Sequence, residues 1–154
     1  MDFRPARLPT GAITLAECEV TPAEYLALYE IVGGPWQWRD RFAWSEEQLA
    51  AYLASPELHL WILRIGNELA GYFELQRQAS DRVEIMYFGL AVPFIGRGLG
   101  GWLLTRAVEE SFALGATVVS LNTCTLDSPH ALPNYRARGF SIVREERYVV
   151  DLSP

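Results

Sequence analysis

The sequence predicts a single α/β domain of the α+β kind, in which helices flank a mixed, mostly antiparallel central sheet. Two apolar runs meet at Gly66-Asn67, a dipeptide typical of a tight hairpin, so the strands on either side are expected to pair antiparallel. A later strand leads through a glycine-rich loop into an amphipathic helix, 98–114, and a crossover of that length returns the chain to a parallel neighbour. With 154 residues the chain is long enough for one hydrophobic core, so residues 1–154 are expected to form one domain.

Capping residues mark the helix ends, and apolar runs between turns mark the strands. Thr21 is followed by Pro22 at the first helical position and by Glu24 at the third, which together indicate a helix start. Ser45 and the acidic residues after it open a second helix, and Gly115 closes a third. In chain order the predicted elements are an edge strand 12–20, helices 21–32 and 45–54, strands 58–65, 68–76 and 81–90, helix 98–114, strand 117–123, a short helix 129–138 and one or two final strands within 140–151.

Composition and charge narrow the class of protein. There is no apolar run of 18 residues and no basic-then-apolar N-terminus, so we expect neither a membrane span nor a signal peptide. Cys18 and Cys124 are too few for a disulfide framework and predict reduced thiols in a cytoplasmic protein. A net charge of −6 argues against a nucleic-acid-binding surface and favours a cationic acceptor. His59 and His130 are isolated, so no metal site is predicted.

The segment 90–104, LAVPFIGRGLGGWLL, is the most informative of the chain. Glycines at 96, 98, 100 and 101 keep side chains away, so that a phosphate can approach the backbone. The first turn of the following helix offers N–H groups without an intrahelical partner, and the helix dipole favours negative charge there. Arg97 adds a positive charge beside them. The segment therefore predicts an anion cradle for a ligand that carries phosphates.

Two known patterns compete for this loop, and the first is the dinucleotide fingerprint. Residues 96–101 satisfy G-x-G-x-x-G, but that fingerprint belongs early in a βαβ unit and is followed by an acidic residue about 20 residues later. Here the next strand ends at Leu121-Asn122, and only 53 residues (102–154) follow the loop. The preceding strand also contains Glu84, whereas buried parallel strands are usually apolar throughout. A nucleotide-binding Rossmann fragment is therefore the weakest alternative.

The second pattern resembles the acyl-CoA-binding motif of the GNAT N-acetyltransferase superfamily, Q/R-x-x-G-x-G/A. Gly98 and Gly100 match it, Ile95 stands at its Gln/Arg position, and Arg97 supplies a nearby positive charge. The segment 131–140, ALPNYRARGF, resembles the later A-x-x-x-Y-x-x-x-G-F segment of the family, with a serine, Ser128, in place of the usual asparagine. The two motifs occur in the right order and about 30 residues apart, which makes them specific together.

The resemblance implies a GNAT fold, acetyl-CoA as co-substrate without a metal, and direct transfer of the acetyl group to a primary amine in a ternary complex. Backbone groups of Leu90 and Val92 are implied to pair with the pantetheine arm. The implied cofactor-binding residues are Leu90, Ala91, Val92, Arg97, Gly98, Leu99, Gly100, Gly101, Ser128 and Tyr135.

Two residues are candidates for acid–base chemistry, because the attacking amine must lose a proton and the departing thiolate benefits from gaining one. Glu84 lies in an otherwise apolar strand, so its pKa is expected to be raised toward the range of a useful base. The histone-acetylating members of the resembled family place a catalytic glutamate near this position. The alternative is a glutamate that faces solvent and pairs with an arginine. Tyr135 matches the tyrosine that the family places beside the CoA sulfur, which implies a general acid; the alternative is a core tyrosine.

A dense aromatic and charged cluster lies between the first two predicted helices. Ligand sites are mostly apolar with a few polar groups, so we expect at least one tryptophan, Trp36 or Trp38, in the acceptor site. The alternative is that the tryptophans only close the domain over the helix pair. The sequence does not decide whether the acceptor is a small amine or a protein amine. It also leaves open a non-catalytic acyl-CoA-binding module and a homodimer. The cluster consists of Trp36, Trp38, Arg39, Asp40, Arg41 and Trp44.

Overall fold

The computed structural model describes residues 12–36, 38–79 and 81–121, and these contain the predicted mixed sheet flanked by helices. The predicted helix 129–138 and the strands after it lie outside the described residues, as do Cys124, Ser128, His130 and Tyr135. The described elements are β1 (Ile13–Glu17), α1 (Pro22–Gly33), α2 (Glu46–Leu53), β2 (Leu58–Ile65), β3 (Glu68–Ala79), β4 (Arg82–Leu90), α3 (Leu99–Ala113) and β5 (Val118–Leu121), with short 3₁₀ turns at Gly34–Trp36, Asp40–Ala43 and Val92–Phe94.

The described strands form one sheet in the order β1-β2-β3-β4-β5. Neighbours from β1 to β4 are antiparallel, and β4 and β5 are parallel because α3 carries the chain across the sheet between them. The predicted fold class is therefore confirmed. The first strand is shorter than predicted, since only five residues of the segment 12–20 pair with β2, and β3 continues to Ala79 rather than ending at Gln76.

Both predicted helix starts are confirmed, and each one is a capping box. The Thr21 hydroxyl accepts a hydrogen bond from the Glu24 N–H at 3.2 Å, and the Glu24 carboxylate accepts one from the Thr21 N–H at 2.9 Å. Ser45 and Gln48 make the same reciprocal pair at the start of α2. Each cap is worth about 1 kcal/mol, so local residues alone fix where these two helices begin.

In the part of the chain that the structure describes, every helix falls short of the length and apolar character that a membrane span requires.

A β-bulge in β4 decides which side chains meet on each face of the sheet. Glu74 pairs with Tyr87 while the next residue of β3, Leu75, pairs with Ile85, so Met86 is the extra residue. Ile85 packs on the α3 side before the bulge, and Phe88 packs there after it. As a consequence, Tyr87 lies on the face covered by α1 and α2.

Candidate active site

The loop between β4 and α3 has the backbone that an anion cradle requires. Gly96 and Gly98 have φ angles of +82° and +79°, a left-handed conformation that costs other residues about 1–2 kcal/mol. Gly98 is the N-cap of α3 and makes no side-chain cap, so the first-turn N–H groups receive no capping hydrogen bond from it. A Cβ at Gly96 or Gly98 would meet no atom of the described residues within 4 Å, so these residues leave space above both glycines for a phosphate.

Two aromatic residues anchor this loop to the domain. Phe94 is buried and lies in the short turn Val92–Phe94, and Trp102 is buried on the first turns of α3. The Arg97 guanidinium carbon lies 5.2 Å from the centre of the Phe94 ring, a cation–π contact worth about 0.5–1 kcal/mol at an exposed site. Arg97 is exposed, so its charge is held beside the cradle while facing solvent.

The predicted pantetheine-binding residues continue β4 toward the cradle. Ala91 is buried, and its N–H donates a 2.7 Å hydrogen bond to the carbonyl of Ala70, which leaves its side chain and amide turned into the protein. Leu90 is half-buried and Val92 is exposed. Their implied contacts with the pantetheine arm, and that of Ala91, stay predictions.

Glu84 is half-buried on β4, opposite Ser120 of β5 in the parallel ladder. Burial raises the pKa of the Glu84 carboxyl, and the positive charge of Arg82 opposes that rise. The predicted direction of the pKa shift is therefore confirmed, while the role of general base stays a prediction. Within the described part of the chain, the Ser120 hydroxyl is sealed from solvent and makes no hydrogen bond. Tyr135 and Ser128, the other candidates for chemistry and CoA binding, lie outside the described residues.

Trp38 is the tryptophan of the cluster that packs beside Gly89, near the C-terminal end of β4. Its ring centre lies 5.6 Å from that of Tyr29 and 5.1 Å from that of Tyr87. Two glycines make room for it: a Cβ at Gly33 would lie 2.1 Å from Trp38 Cε3, and a Cβ at Gly89 would lie 3.4 Å from Trp38 Cη2 and 2.6 Å from a methyl of Val32. Trp38 as a whole is half-buried, and its ring lies beside Gly89 of β4.

The other two tryptophans of the cluster take different places. Trp36 is half-buried in the 3₁₀ turn Gly34–Trp36, and Trp44 packs edge-on against Tyr52 of α2 with ring centres 5.1 Å apart. Trp44 therefore packs against α2. Trp38 is the tryptophan best placed to line an acceptor site, and its contact with acceptor stays a prediction.

The sequence analysis missed a buried ion pair beneath this cluster. Glu74 of β3 is 0% exposed and Arg41 is 6% exposed, and Arg41 Nη2 lies 3.4 Å from Glu74 Oε2. The Tyr25 hydroxyl donates to Glu74 Oε1 at 2.6 Å, and the Tyr52 hydroxyl donates to Glu74 Oε2. The sequence contains a signal for the burial of Glu74 but not for its partner, since alternation along β3 places Glu74 on the same face as Tyr72.

Comparisons with known proteins show which family the sequence matches. The family model described as the acetyltransferase (GNAT) family matches residues 25–140. A mycothiol acetyltransferase of Corynebacterium aurimucosum is 38% identical over 80 residues, which are 50% of this chain and 26% of that protein. The chain thus spans about a quarter of the length of that curated relative.

Solved structures show the same fold. An aminoglycoside acetyltransferase from an uncultured soil metagenomic sample, in complex with sisomicin, matches with a TM-score of 0.67 at 15% identity, covering 93% of this chain and 96% of that chain. A GNAT family acetyltransferase from Elizabethkingia anophelis with acetyl-CoA bound matches with a TM-score of 0.66 at 23% identity, covering 88% of this chain and 80% of that chain. These likenesses confirm the predicted fold.

Proposed function

Because the chain belongs to the acetyltransferase (GNAT) family, we propose that it transfers the acetyl group of acetyl-CoA directly to a primary amine, within a ternary complex. The observation that carries this proposal is the left-handed Gly98 at the N-cap of α3, at the end of the loop that follows β4, where the described residues leave its outer side open. The helix N-terminus and Arg97 favour a bound pyrophosphate electrostatically. A solved relative of this fold, from Elizabethkingia anophelis, has acetyl-CoA bound.

The reaction assigns a role to each candidate residue. The amine attacks the thioester carbonyl in its neutral form, and Glu84 accepts a proton from the nitrogen, directly or through water, as the C–N bond forms. The carbonyl oxygen gains charge in the adduct, and collapse of the adduct breaks the C–S bond. Tyr135 gives its proton to the departing thiolate, and transfer of the proton from Glu84 to the Tyr135 phenolate through water restores both groups. The protein forms no covalent intermediate, so all groups act by positioning and proton transfer.

The acceptor is proposed to be a cationic amine that enters beside Trp38 and Tyr87. Both residues are half-buried, and strand alternation places Glu84 on the same face of the sheet, so an amine there would contact apolar rings on the side that carries the carboxylate. The net charge of −6 attracts such a cation. We propose a cytoplasmic site of action on the low cysteine count, and both a small amine and a protein N-terminus fit this chemistry.

A screen that monitors CoA release tests the function. The protein is mixed with acetyl-CoA and one amine from a panel of phenethylamine, butylamine, glucosamine, sisomicin and a peptide with an N-terminal alanine. Amine-dependent release of CoA, with a matching acetylated product by mass, is the expected result. Tight binding of acetyl-CoA without turnover of any amine would instead support the non-catalytic acyl-CoA-binding alternative, which the departures from the family motif at Ile95 and Ser128 leave open. Binding of NAD is measured in parallel, and weaker binding than CoA is expected.

Tyr135→Phe is expected to lower kcat by about 10 to 10³-fold while the Kd for acetyl-CoA stays within about twofold. The change removes the proton donor and keeps the ring, so packing and cofactor affinity are preserved. The measurement is kcat across the pH range, with Kd from calorimetry. The control is Tyr148→Phe, a tyrosine outside both motifs, which should leave kcat unchanged. An unchanged kcat at every pH for Tyr135→Phe would remove this residue from the catalytic scheme.

A further inference from the structure

We propose that the buried Arg41–Glu74 pair is a positioning device for the acceptor site, because it holds the segment between α1 and α2 on the sheet and thereby fixes Trp38 against Tyr87. The inference rests on the proposed function, since it assigns the pair to the acceptor side rather than to CoA binding. Neither residue is proposed to touch substrate.

The pair joins three elements at one carboxylate. Glu74 belongs to β3, Tyr25 to α1 and Tyr52 to α2, and both hydroxyls donate to the Glu74 carboxylate. Arg41 comes from the 3₁₀ turn Asp40–Ala43 and donates from Nε to the Tyr25 hydroxyl at 3.2 Å and from Nη2 to the Tyr52 hydroxyl at 3.3 Å. Each of these four side chains is thus hydrogen-bonded to a residue of another element, and these bonds fix the position of the 3₁₀ turn on the sheet.

Two contacts connect this cluster to the acceptor wall, which is formed by the Trp38 and Tyr87 rings proposed to border the acceptor. The Arg41 guanidinium carbon lies 4.9 Å from the centre of the Tyr87 ring, as well as 4.1 Å from that of Trp44. The Arg41 backbone N–H donates to the Tyr29 hydroxyl, which donates in turn to the Tyr87 hydroxyl, each at 3.5 Å. Trp38 lies three residues before Arg41 and packs on the same Tyr29 and Tyr87 rings.

The buried Arg41–Glu74 pair contributes more to the orientation of the turn than to the stability of the fold. Burial raises the pKa of the Glu74 carboxyl, and the Arg41 charge together with the two donated hydrogen bonds lower it. Taking two charges out of water offsets most of their attraction, so buried pairs add little stability over apolar groups of the same shape. The planar guanidinium of Arg41, by contrast, presents its N–H donors in a rigid geometry, so it can bond to the carboxylate and the two hydroxyls in few orientations. Orientation of the turn is therefore the property that the pair supplies.

A charge-free pair separates positioning from folding. In Arg41→Met/Glu74→Gln the glutamine still accepts and donates hydrogen bonds toward Tyr25 and Tyr52, while both charges are gone. The expected result is a folded protein whose Kd for acetyl-CoA is within about twofold of wild type, whose kcat is within about threefold, and whose acceptor KM is raised about 10-fold. The acceptor is the panel amine with the highest wild-type kcat/KM. The matched control makes the same substitutions in the surface pair Arg106–Glu110 of α3, which is 2.7 Å apart, and should change none of these constants.

Coupling to Trp38 is the decisive readout. Trp38→Ala alone should raise the acceptor KM, and adding it to the charge-free pair should raise KM little further, because both changes act through one wall. Additive effects, or a wild-type KM in the folded charge-free variant, would overturn the proposal. If the charge-free variant does not fold, Arg41→Lys replaces it, with a smaller rise of KM expected since lysine keeps the charge and loses the fork.

A second measurement needs no acceptor. In protein labelled with 5-fluorotryptophan, the ¹⁹F resonance of Trp38, assigned through Trp38→Phe, should shift or broaden in the charge-free variant while that of Trp102 on α3 stays in place. An unmoved Trp38 resonance would overturn the positioning role. If wild type turns over no amine of the panel, the proposed function fails, and the fluorine spectrum still decides whether the pair positions Trp38.

Discussion

Gly98→Asp is expected to weaken binding of acetyl-CoA by about 10³-fold. The substitution places a carboxylate at the N-cap of α3, on the open side where a phosphate is proposed to lie. Two like charges about 4 Å apart repel by about 4 kcal/mol at an effective dielectric constant of ~20, and each 1.4 kcal/mol is tenfold in Kd. The measurement is the Kd of acetyl-CoA by calorimetry at low and at high salt, and part of the loss should be recovered at high salt.

Backbone strain must be separated from charge, and the chain offers a matched control. Gly115 has φ +95° and follows the C-terminal end of the same helix, whose 15 residues span about 22 Å at 1.5 Å per residue. Gly115→Asp introduces the same side chain into the same left-handed backbone, so it should lower the Tm comparably and leave the Kd within about twofold. Gly98→Ala adds the strain without the charge and should leave most of the affinity. A folded Gly98→Asp protein that binds acetyl-CoA as wild type does would show that the cradle is assigned wrongly.

The features that could be predicted from the sequence are those built from residues close together in the chain. Thr21 and Glu24 satisfy each other's backbone within three residues, and Ser45 and Gln48 do the same, so both helix starts were readable. The left-handed backbone at Gly98 was readable for the same reason, since glycine is the residue that adopts it without strain.

The features that could not be predicted depend on contacts across the fold. Arg41 and Glu74 are 33 residues apart, and nothing local to either one specifies its partner. The bulge at Met86 shifts the alternation of β4, so counting residues from Ile85 would have placed Tyr87 on the wrong face. The choice of Trp38 among the tryptophans depends on the space that two glycines leave, and that space exists only after α1 packs on the sheet.

Glu84→Gln is expected to lower kcat/KM by about 10² to 10⁴-fold, since a glutamine cannot accept the amine's proton. The substitution should also abolish the limb of the pH profile in which kcat/KM rises with pH as Glu84 loses its proton. A base acts only when deprotonated, so kcat/KM of the wild type should fall as pH drops below the pKa of Glu84. Burial raises that pKa, so the limb should lie at higher pH than an ordinary exposed glutamate gives. Glu109→Gln, at an exposed glutamate of α3, is the control and should leave the profile unchanged.

The acceptor amine also titrates, so the pH profile of kcat/KM can contain a substrate limb, set by the amine pKa, and an enzyme limb, set by the Glu84 pKa. Two comparisons distinguish them. An acceptor with a lower amine pKa moves the substrate limb to lower pH and leaves the enzyme limb in place. Arg82→Gln removes the positive charge that lowers the Glu84 pKa, so it should move an enzyme limb to higher pH and leave a substrate limb where it was. Arg82 is exposed at the start of β4 and outside the cradle, so acetyl-CoA affinity should not change. A Glu84→Gln protein with the wild-type rate and profile would assign this glutamate to structure, and the proton would then leave through water to another group.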